Sequence, residues 1–447
     1  MDPLSFLREE CHSVASALNE TLRHDYGPDQ SGHYFQECRE RLQAIRQAID
    51  EDPSMDRASI AAHMGELSAL GSRISLIERS HLGEFSWPFA GVIRRIADTM
   101  FREPTIDGLK PPIVHVVAEG MDYQIVDDHV PNGGLRRIII VAFPRQLKHH
   151  VLIHAIFGHE LGHTAYNVEG TGQTIQNRVM PILKRGILSD PGTARAWLER
   201  DDAPAAIRSA SASARKRAFD EQTLVNWRQE IVSDLFGLLL FGPAFAAAHR
   251  TVIEALCPRP DSFQLGNSTH PPYPVRQRIL ARAIVKLGWS KTISSPDAED
   301  LYAAETALIG YLTQSVDDPW FDLLDDQQLE EALAAISQIF KSFPGTAYSP
   351  PGKRVLSELV RRLSLERPPI YQSLSKEGHP QNRVVPVAHC LYAGWTFWFG
   401  RDRLTEAARR TDREVREPSF LEINRLCNQA ILQQEAIDFV IESGTCA

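Results

Sequence analysis

Long apolar runs, paired cysteines and an excess of basic residues are all missing from this 447-residue sequence. The most apolar stretch, LFGLLLFGPAFAAA at 235–248, is too short to cross a bilayer and is interrupted by glycine and proline. We therefore predict no membrane span. The formal net charge of −9 argues against a general nucleic-acid-binding protein. These absences favour a soluble globular protein.

The cysteines and the first residues bear on the cellular compartment. None of the six cysteines belongs to a CxxC pair, which argues against a zinc ribbon or a dithiol redox motif. The opening segment MDPLSFLREECHS has neither the basic nor the apolar part of a signal peptide. Cysteines of proteins without an export signal usually stay reduced. We expect free thiols and a cytoplasmic location.

Three regions of the sequence differ in their residue pattern. Residues 1–103 carry apolar residues at three- and four-residue spacing, which predicts helices, and residues 291–447 do the same. Residues 104–290 contain two or three β-like runs, IVHVVAE, YQIV and RRIIIVAF, and then helical segments. The sequence thus predicts a mostly helical α+β fold. A small β-sheet and the functional helices would form a central domain between helical N- and C-terminal regions.

The segment HAIFGHELGHTAYN at 154–167 places two histidines on either side of a glutamate. Because His159 and His163 are four residues apart, a helix carries them on one face, where both imidazoles can reach one metal ion. We expect this helix to run from about Arg145 to Tyr166. Zinc accepts such ligands and requires at least one more from the protein.

A second helical segment, NWRQEIVSDLFGLLLFG, supplies the candidate for the missing ligand. Glu230 and Asp234 are again four residues apart, on a helix that is apolar at nearly every other position. Two carboxylates on such a helix are costly to bury unless a positive group meets them. We predict that Glu230 binds the metal and that Asp234 hydrogen-bonds the far ring nitrogen of a ligand histidine. The alternative is an exposed helix edge with two solvated acids.

HELGH followed by ExxxD resembles the gluzincin metallopeptidases. The segment STHPPYPVRQRI at 268–279 is similar to a THPP segment of CAAX-processing and heat-shock zinc peptidases, where an arginine follows the histidine by six residues. Here these positions are His270 and Arg276. The resemblance covers roughly residues 136–288. Those relatives carry transmembrane helices beside the motifs, so a soluble gluzincin with the same compact core is the closer comparison.

The resemblance implies a zincin-like catalytic core and a zinc-dependent endopeptidase. Zn²⁺ on the three predicted ligands would activate a water, with Glu160 as the general base that later passes the proton to the leaving amine. The resemblance also implies that His270 stabilises the oxyanion, and that Arg276 supports His270 or pairs with a carboxylate such as Asp234. The alternatives are a helix cap for His270 and a surface position for Arg276.

A second function stays open because the helical flanks are together longer than the central domain. The chain could be a regulatory or partner-binding protein built on a gated or inactive zincin core. The candidate gates are the charged, Ser/Ala-rich region 167–222, which includes 201–217, and the terminal helices. The intact Glu160 favours an enzyme, since a structural metal site needs no general base. We expect a protein or peptide substrate, with a regulatory partner on the flanks; a non-peptide amide substrate stays open.

Overall fold

A computed structural model gives the fold of residues 2–23, 31–82, 87–100, 113–117, 123–128, 138–166, 169–203, 205–208, 220–256, 269–314, 320, 322–343, 345–374, 380–383, 385–410 and 414–442. The chain is mostly helical, which confirms the predominance of helix expected from the sequence. It divides into two units, which are described separately. The first is Met1–Phe85 with Phe101–Lys148, and the second is Ser86–Met100 with His149–Ala447.

The first unit contains a three-helix bundle: α1 (Pro3–Thr21), α2 (Ser31–Glu51) and α3 (Arg57–Leu82). Asp2 starts α1 by accepting hydrogen bonds from its first backbone N–H groups. Apolar residues at helical spacing then meet inside the bundle, where burial of each large side chain stabilises the fold by about 1.5–3 kcal/mol. The core includes Leu7, Val14, Leu18, Phe35, Leu42, Ile45, Ile49, Leu67, Leu70 and Ile74.

The first unit also contains a three-stranded sheet of β1 (Ile113–Val117), β2 (Gln124–Asp128) and β3 (Ile138–Ala142). Its order is β1-β3-β2, with β1 parallel and β2 antiparallel to β3. The sequence IIIVA of β3, apolar throughout, suits a central strand. These strands confirm the three β-like runs.

In its described residues, the second unit consists of helices and one short antiparallel strand pair. A 3-10 segment, Ile153–Ile156, leads directly into α5. The described helices are α4 (Trp87–Met100), α5 (Phe157–Ala165), α6 (Glu169–Thr174), α7 (Met180–Leu183), α8 (Pro191–Leu198), α9 (Ala205–Arg208), α10 (Glu221–Phe241), α11 (Pro243–Leu256), α12 (Tyr273–Lys286), α13 (Glu299–Thr313), α14 (Asp326–Phe340), α15 (Lys353–Ser364), α16 (Val387–Arg409) and α17 (Phe420–Glu442), and the strands are β4 (Tyr371–Leu374) and β5 (Pro380–Arg383).

Small residues bring α5 and α10 unusually close together. A Cβ atom added to Gly158 would lie 2.8 Å from the Cα atom of Gly237, and one added to Gly162 would lie 2.7 Å from that of Ser233. Gly158 and Gly162 are four residues apart on α5, and Ser233 and Gly237 are four apart on α10. Each helix therefore presents small residues along the face that meets the other. An alanine at either α5 glycine would push the helices apart. This close crossing sets the distance between the histidines of α5 and the carboxylates of α10.

The structure corrects one predicted element and leaves others as predictions. The helix expected from Arg145 is wrong in its first half, because α5 begins only at Phe157. The N–H of Leu152 bonds the Asn424 side chain instead of a preceding carbonyl, so a tertiary contact replaces the helical one. The boundaries of the predicted domains at 103/104 and 290/291, and the zincin-like arrangement of sheet and helices, stay predictions. None of the described helices is both long and apolar enough to cross a membrane.

Candidate metal centre

Two histidines of α5 and one glutamate of α10 converge inside the second unit. His163 Nε2 lies 3.0 Å from His159 Nε2 and 3.1 Å from Glu230 Oε1. His159 Nε2 lies 3.3 Å from Glu230 Oε2. The relative exposure of the side chains is 7% for His159 and 8% for Glu230. Within the described part of the chain, these three residues form a group that could hold a metal ion.

The spacing of these atoms fits a small tetrahedral ion. Zinc binds imidazole and carboxylate at about 2.0–2.2 Å, which places any two ligand atoms roughly 3.3 Å apart at the tetrahedral angle. The shortest separations between the three side chains are 3.0 Å between the imidazoles, 3.1 Å from His163 to Glu230 Oε1 and 3.3 Å from His159 to Glu230 Oε2. Glu230 Oε2 is also buried, and no described residue meets it with hydrogen-bond geometry. A buried oxygen without a hydrogen bond is costly, and a bound cation would satisfy it.

Asp234 and Arg276 lie behind this group. Asp234 Oδ1 is 2.9 Å from His159 Nδ1, the ring nitrogen that faces away from Glu230. The guanidinium of Arg276, on α12, donates to both Asp234 oxygens, at 2.6 and 2.7 Å. Bidentate pairs of this kind fix orientation as well as charge. Asp234 can thus hold His159 with Nε2 directed at the other two ligand atoms.

The burial of these groups excludes the surface alternatives. Glu230 is 6% exposed, Asp234 1% and Arg276 7%. Neither carboxylate is a solvated helix edge, and the arginine is not a surface group. Arg276 pairs with Asp234, which was one of the two roles expected for it. Its Nη1 atom lies 3.5 Å from Glu230 Oε2, so the same guanidinium faces both carboxylates.

The charges in this site favour a further cation. Burial alone would raise the carboxyl pKa values, but His159 and His163 hold the pKa of Glu230 well below its usual range, and Arg276 does so for Asp234. Burial disfavours protonated His159, yet its contacts with the two carboxylates raise its pKa to about 10. Two carboxylates thus meet one guanidinium. The remaining positive charge can be a proton on His159 or a metal ion in its place.

His249, on α11, is a site residue that the sequence analysis missed. It is 2% exposed, and its Nε2 atom lies 3.5 Å from Asp234 Oδ1. Burial lowers the pKa of His249 to about 3, so its ring is neutral. It adds a polar contact to Asp234 without adding charge. The available signal was a lone histidine directly after the apolar run 235–248.

The predicted general base lies next to the ligands on α5. Glu160 is partly buried, and its negative charge contributes to the raised pKa of Arg276, after the effects of Asp234 and Glu230. It does not belong to the three-residue metal group. Its catalytic role stays a prediction.

His270 reaches the same site from its exposed side. Its Nε2 atom is 3.4 Å from Glu230 Oε2, its side chain is 48% exposed, and Nδ1 lies 2.8 Å from Thr269 Oγ1. The capping alternative is wrong, because α12 has Pro272 at its N-cap and no side-chain cap hydrogen bond. His270 and Arg276 of the segment 268–279 both lie near Glu230 Oε2, at 3.4 and 3.5 Å, and their functional roles stay predictions. Ser268 lies outside the described residues.

Searches against protein families, curated proteins and solved structures found no match for this chain. The geometry therefore stands by itself. It shows a buried group of two histidines and one glutamate that could hold a metal ion, with a paired aspartate and arginine behind it.

Proposed function

We propose that the chain is a soluble zinc-dependent endopeptidase of the gluzincin type. The observation that carries the proposal is the mutual placement of His159, His163 and Glu230, whose nearest ring nitrogens and carboxylate oxygens are 3.0–3.3 Å apart. The Asp234–Arg276 pair behind His159 supports it further. Many proteins have a buried histidine beside an acid. Three converging ligand atoms with an oriented ring are a much more specific arrangement.

The exposure of the site supports a catalytic role over a structural one. His159 and Glu230 are less than a tenth exposed, whereas the side chain of His163 is 33% exposed and that of His270 48%. The group is thus closed on the Asp234 side and open to solvent at His163. Structural zinc sites are closed by four protein ligands, and catalytic sites keep one position for water or substrate. Three protein ligands with one open edge fit the second kind.

The proposal gives each residue a separate task. A zinc ion held by His159, His163 and Glu230 would polarise the scissile carbonyl and acidify a water molecule. Glu160 accepts the proton of the attacking water and returns it to the leaving amine, as a positioned carboxylate can. His270 donates a hydrogen bond to the oxyanion from the exposed edge. Because the site is open on one side, it suits a substrate in extended conformation. Unstructured protein segments can adopt that conformation.

The proposal is tested on a diverse pool of unstructured peptides, with cleavage products identified by mass spectrometry. We expect cleavage by the zinc-loaded protein, loss of cleavage after removal of metal with a chelator, and recovery when zinc is added back. Calcium or magnesium should not restore activity, because imidazole ligands suit zinc and not those hard cations. A zinc-loaded protein that cleaves no peptide in the pool would contradict a peptidase. Cleavage that persists without metal would contradict the metal mechanism.

A further inference from the structure

The turn just before α5 is held by side chains of the C-terminal helices. The backbone N–H of Leu152 donates to Asn424 Oδ1 at 2.9 Å, and its carbonyl accepts a hydrogen bond from Trp395 Nε1 at 3.3 Å. Asn424 lies on α17 and Trp395 on α16. All three residues are at most 1% exposed. Buried backbone groups without partners are costly, so these bonds contribute to the shape of the turn.

The surrounding packing fixes the side chains of Asn424 and Leu152. Asn424 Nδ2 donates to the carbonyl of Phe420 at 2.8 Å, which leaves its Oδ1 atom facing Leu152. The Leu152 side chain fills the space above Gly394, where an added Cβ atom would lie 2.6 Å from Leu152 Cδ2. Helices α16 and α17 thus enclose both the backbone and the side chain of Leu152.

This enclosure bears on the metal ligands because α5 is short. The helix has nine residues, fewer than an isolated helix needs for stability in water. Its far side is fixed by the glycine contacts with α10, and its start follows directly from Leu152 through Ile153–Ile156. Metal sites tolerate errors of only about 0.2 Å in ligand distance. A small rotation at the start of α5 would exceed that tolerance at His159 and His163.

We propose that Asn424 and Trp395 are positioning residues, through which α16 and α17 fix the start of α5 and hence its two imidazoles. The C-terminal helices are then part of the metal site's supporting structure. The effect on metal binding rests on the proposed function, whereas the fixing of α5 can be measured without a metal.

Two variants remove the bonds with little change in shape. Asn424→Ala removes the acceptor for the Leu152 N–H, and Trp395→Phe removes the indole donor but keeps an aromatic ring. Gln434→Ala is the matched control, because Gln434 is a buried amide on α17 whose contact is to Cys390 Sγ, at 3.8 Å. Each variant is measured as the full chain. The readouts are hydrogen exchange of the amides at 152–165, zinc affinity by competition with a chelating indicator, and the absorption spectrum after loading with Co²⁺.

We expect faster amide exchange at 152–165 in both variants and a zinc affinity lowered by about 10-fold or more, as for other residues that orient ligands. The Co²⁺ spectrum should change, because the ligand geometry changes. Gln434→Ala should alter none of the three. Unchanged exchange at 152–165 in a folded Asn424→Ala or Trp395→Phe protein would overturn the inference. If Asn424→Ala does not fold, Trp395→Phe alone decides. A wild-type protein that binds no zinc would contradict the proposed function and leave the exchange test in force.

Discussion

Two buried glutamates of the second unit show the difference between a structural carboxylate and a ligand. Glu305 is fully buried, and its Oε1 atom accepts from the Ile293 N–H at 2.8 Å and the Tyr392 hydroxyl at 2.9 Å. Its Oε2 atom accepts from the N–H and hydroxyl of Ser294 at 2.9 and 2.5 Å. The protein itself satisfies both oxygens.

Glu230 is almost as buried, but its surroundings differ. Nitrogen atoms of His159, His270 and Arg276 lie 3.3–3.5 Å from Oε2, and none of them meets it with hydrogen-bond geometry. Three imidazole nitrogens, of His159, His163 and His270, lie within 3.4 Å of this carboxylate in place of the short donors around Glu305. The neighbouring imidazoles and guanidinium stabilise the charge of Glu230, but its buried Oε2 atom has no hydrogen bond among the described residues. A metal ion could lie between this oxygen and the imidazoles of His159 and His163. The predictions below test whether this contrast is functional.

The largest expected effect is at a third glutamate, Glu160, which is close to the metal group without belonging to it. Glu160→Gln keeps the shape of the side chain and removes its basicity, so turnover should fall by about 10²–10⁴. Metal content should stay at the wild-type level, measured by elemental analysis of the purified variant. Loss of metal would make Glu160 a ligand, and unchanged turnover would remove it as the general base.

The next effect is expected at His270, which approaches Glu230 from the exposed side. His270→Ala should lower kcat by about 10²–10³ and leave KM nearly unchanged, because an oxyanion contact is made mainly in the transition state. Initial rates over a range of peptide concentrations separate the two constants. Thr269→Val is the control for the neighbouring hydroxyl and should have a smaller effect. A zinc-loaded His270→Ala protein with wild-type turnover would exclude His270 from the mechanism.

The next prediction concerns Asp234, which contacts the ring nitrogen of His159 that faces away from Glu230. Asp234→Asn preserves the shape but weakens the hydrogen bonds to His159 and Arg276, so zinc affinity should fall about 10–100-fold. The measurement is competition against a chelator of known affinity. His249→Gln serves as a comparison, since His249 meets Asp234 only at 3.5 Å and should have a weaker effect. Wild-type affinity in Asp234→Asn would mean that the ring of His159 is held by other contacts.

The smallest effect is expected at Glu305, and it should appear in stability alone. Glu305→Gln places an amide nitrogen among groups that donate hydrogen bonds, so the free energy of unfolding should fall by about 1–3 kcal/mol. Urea denaturation measures this change. Zinc affinity should not change, since Glu305 is outside the metal group. A matching loss of zinc affinity would erase the distinction between the two glutamates.

The metal group was largely predictable from sequence because it follows from helical spacing and the cost of buried charge. Residues four apart share a helix face, which brought together the two histidines on α5 and the two acids on α10. The placement of His270 and Arg276 came from a family resemblance instead. Their catalytic roles, and the peptidase activity itself, stay predictions.

The missed features depend on contacts between distant parts of the chain. Helix packing brings His249 to Asp234 and Asn424 to the turn before α5, and such packing leaves no spacing pattern in the sequence. The late start of α5 has the same cause, since Leu152 bonds to a residue near the C-terminal end. The strands β4 and β5 were also missed, because the stretch YQSLSKEGHPQNR lacks the alternation of apolar residues that indicates a strand. The gate predicted at 201–217 falls mostly outside the described residues.

The most direct test of the central claim is a zinc titration of the metal-free wild-type protein beside Glu230→Gln and Glu305→Gln. The account predicts about one tightly bound zinc per chain in the wild type and in Glu305→Gln. Because each ligand contributes to the binding free energy, loss of one of three should weaken binding in Glu230→Gln about a hundredfold or more. Absence of zinc binding in the wild type, or wild-type affinity in Glu230→Gln, would contradict the account.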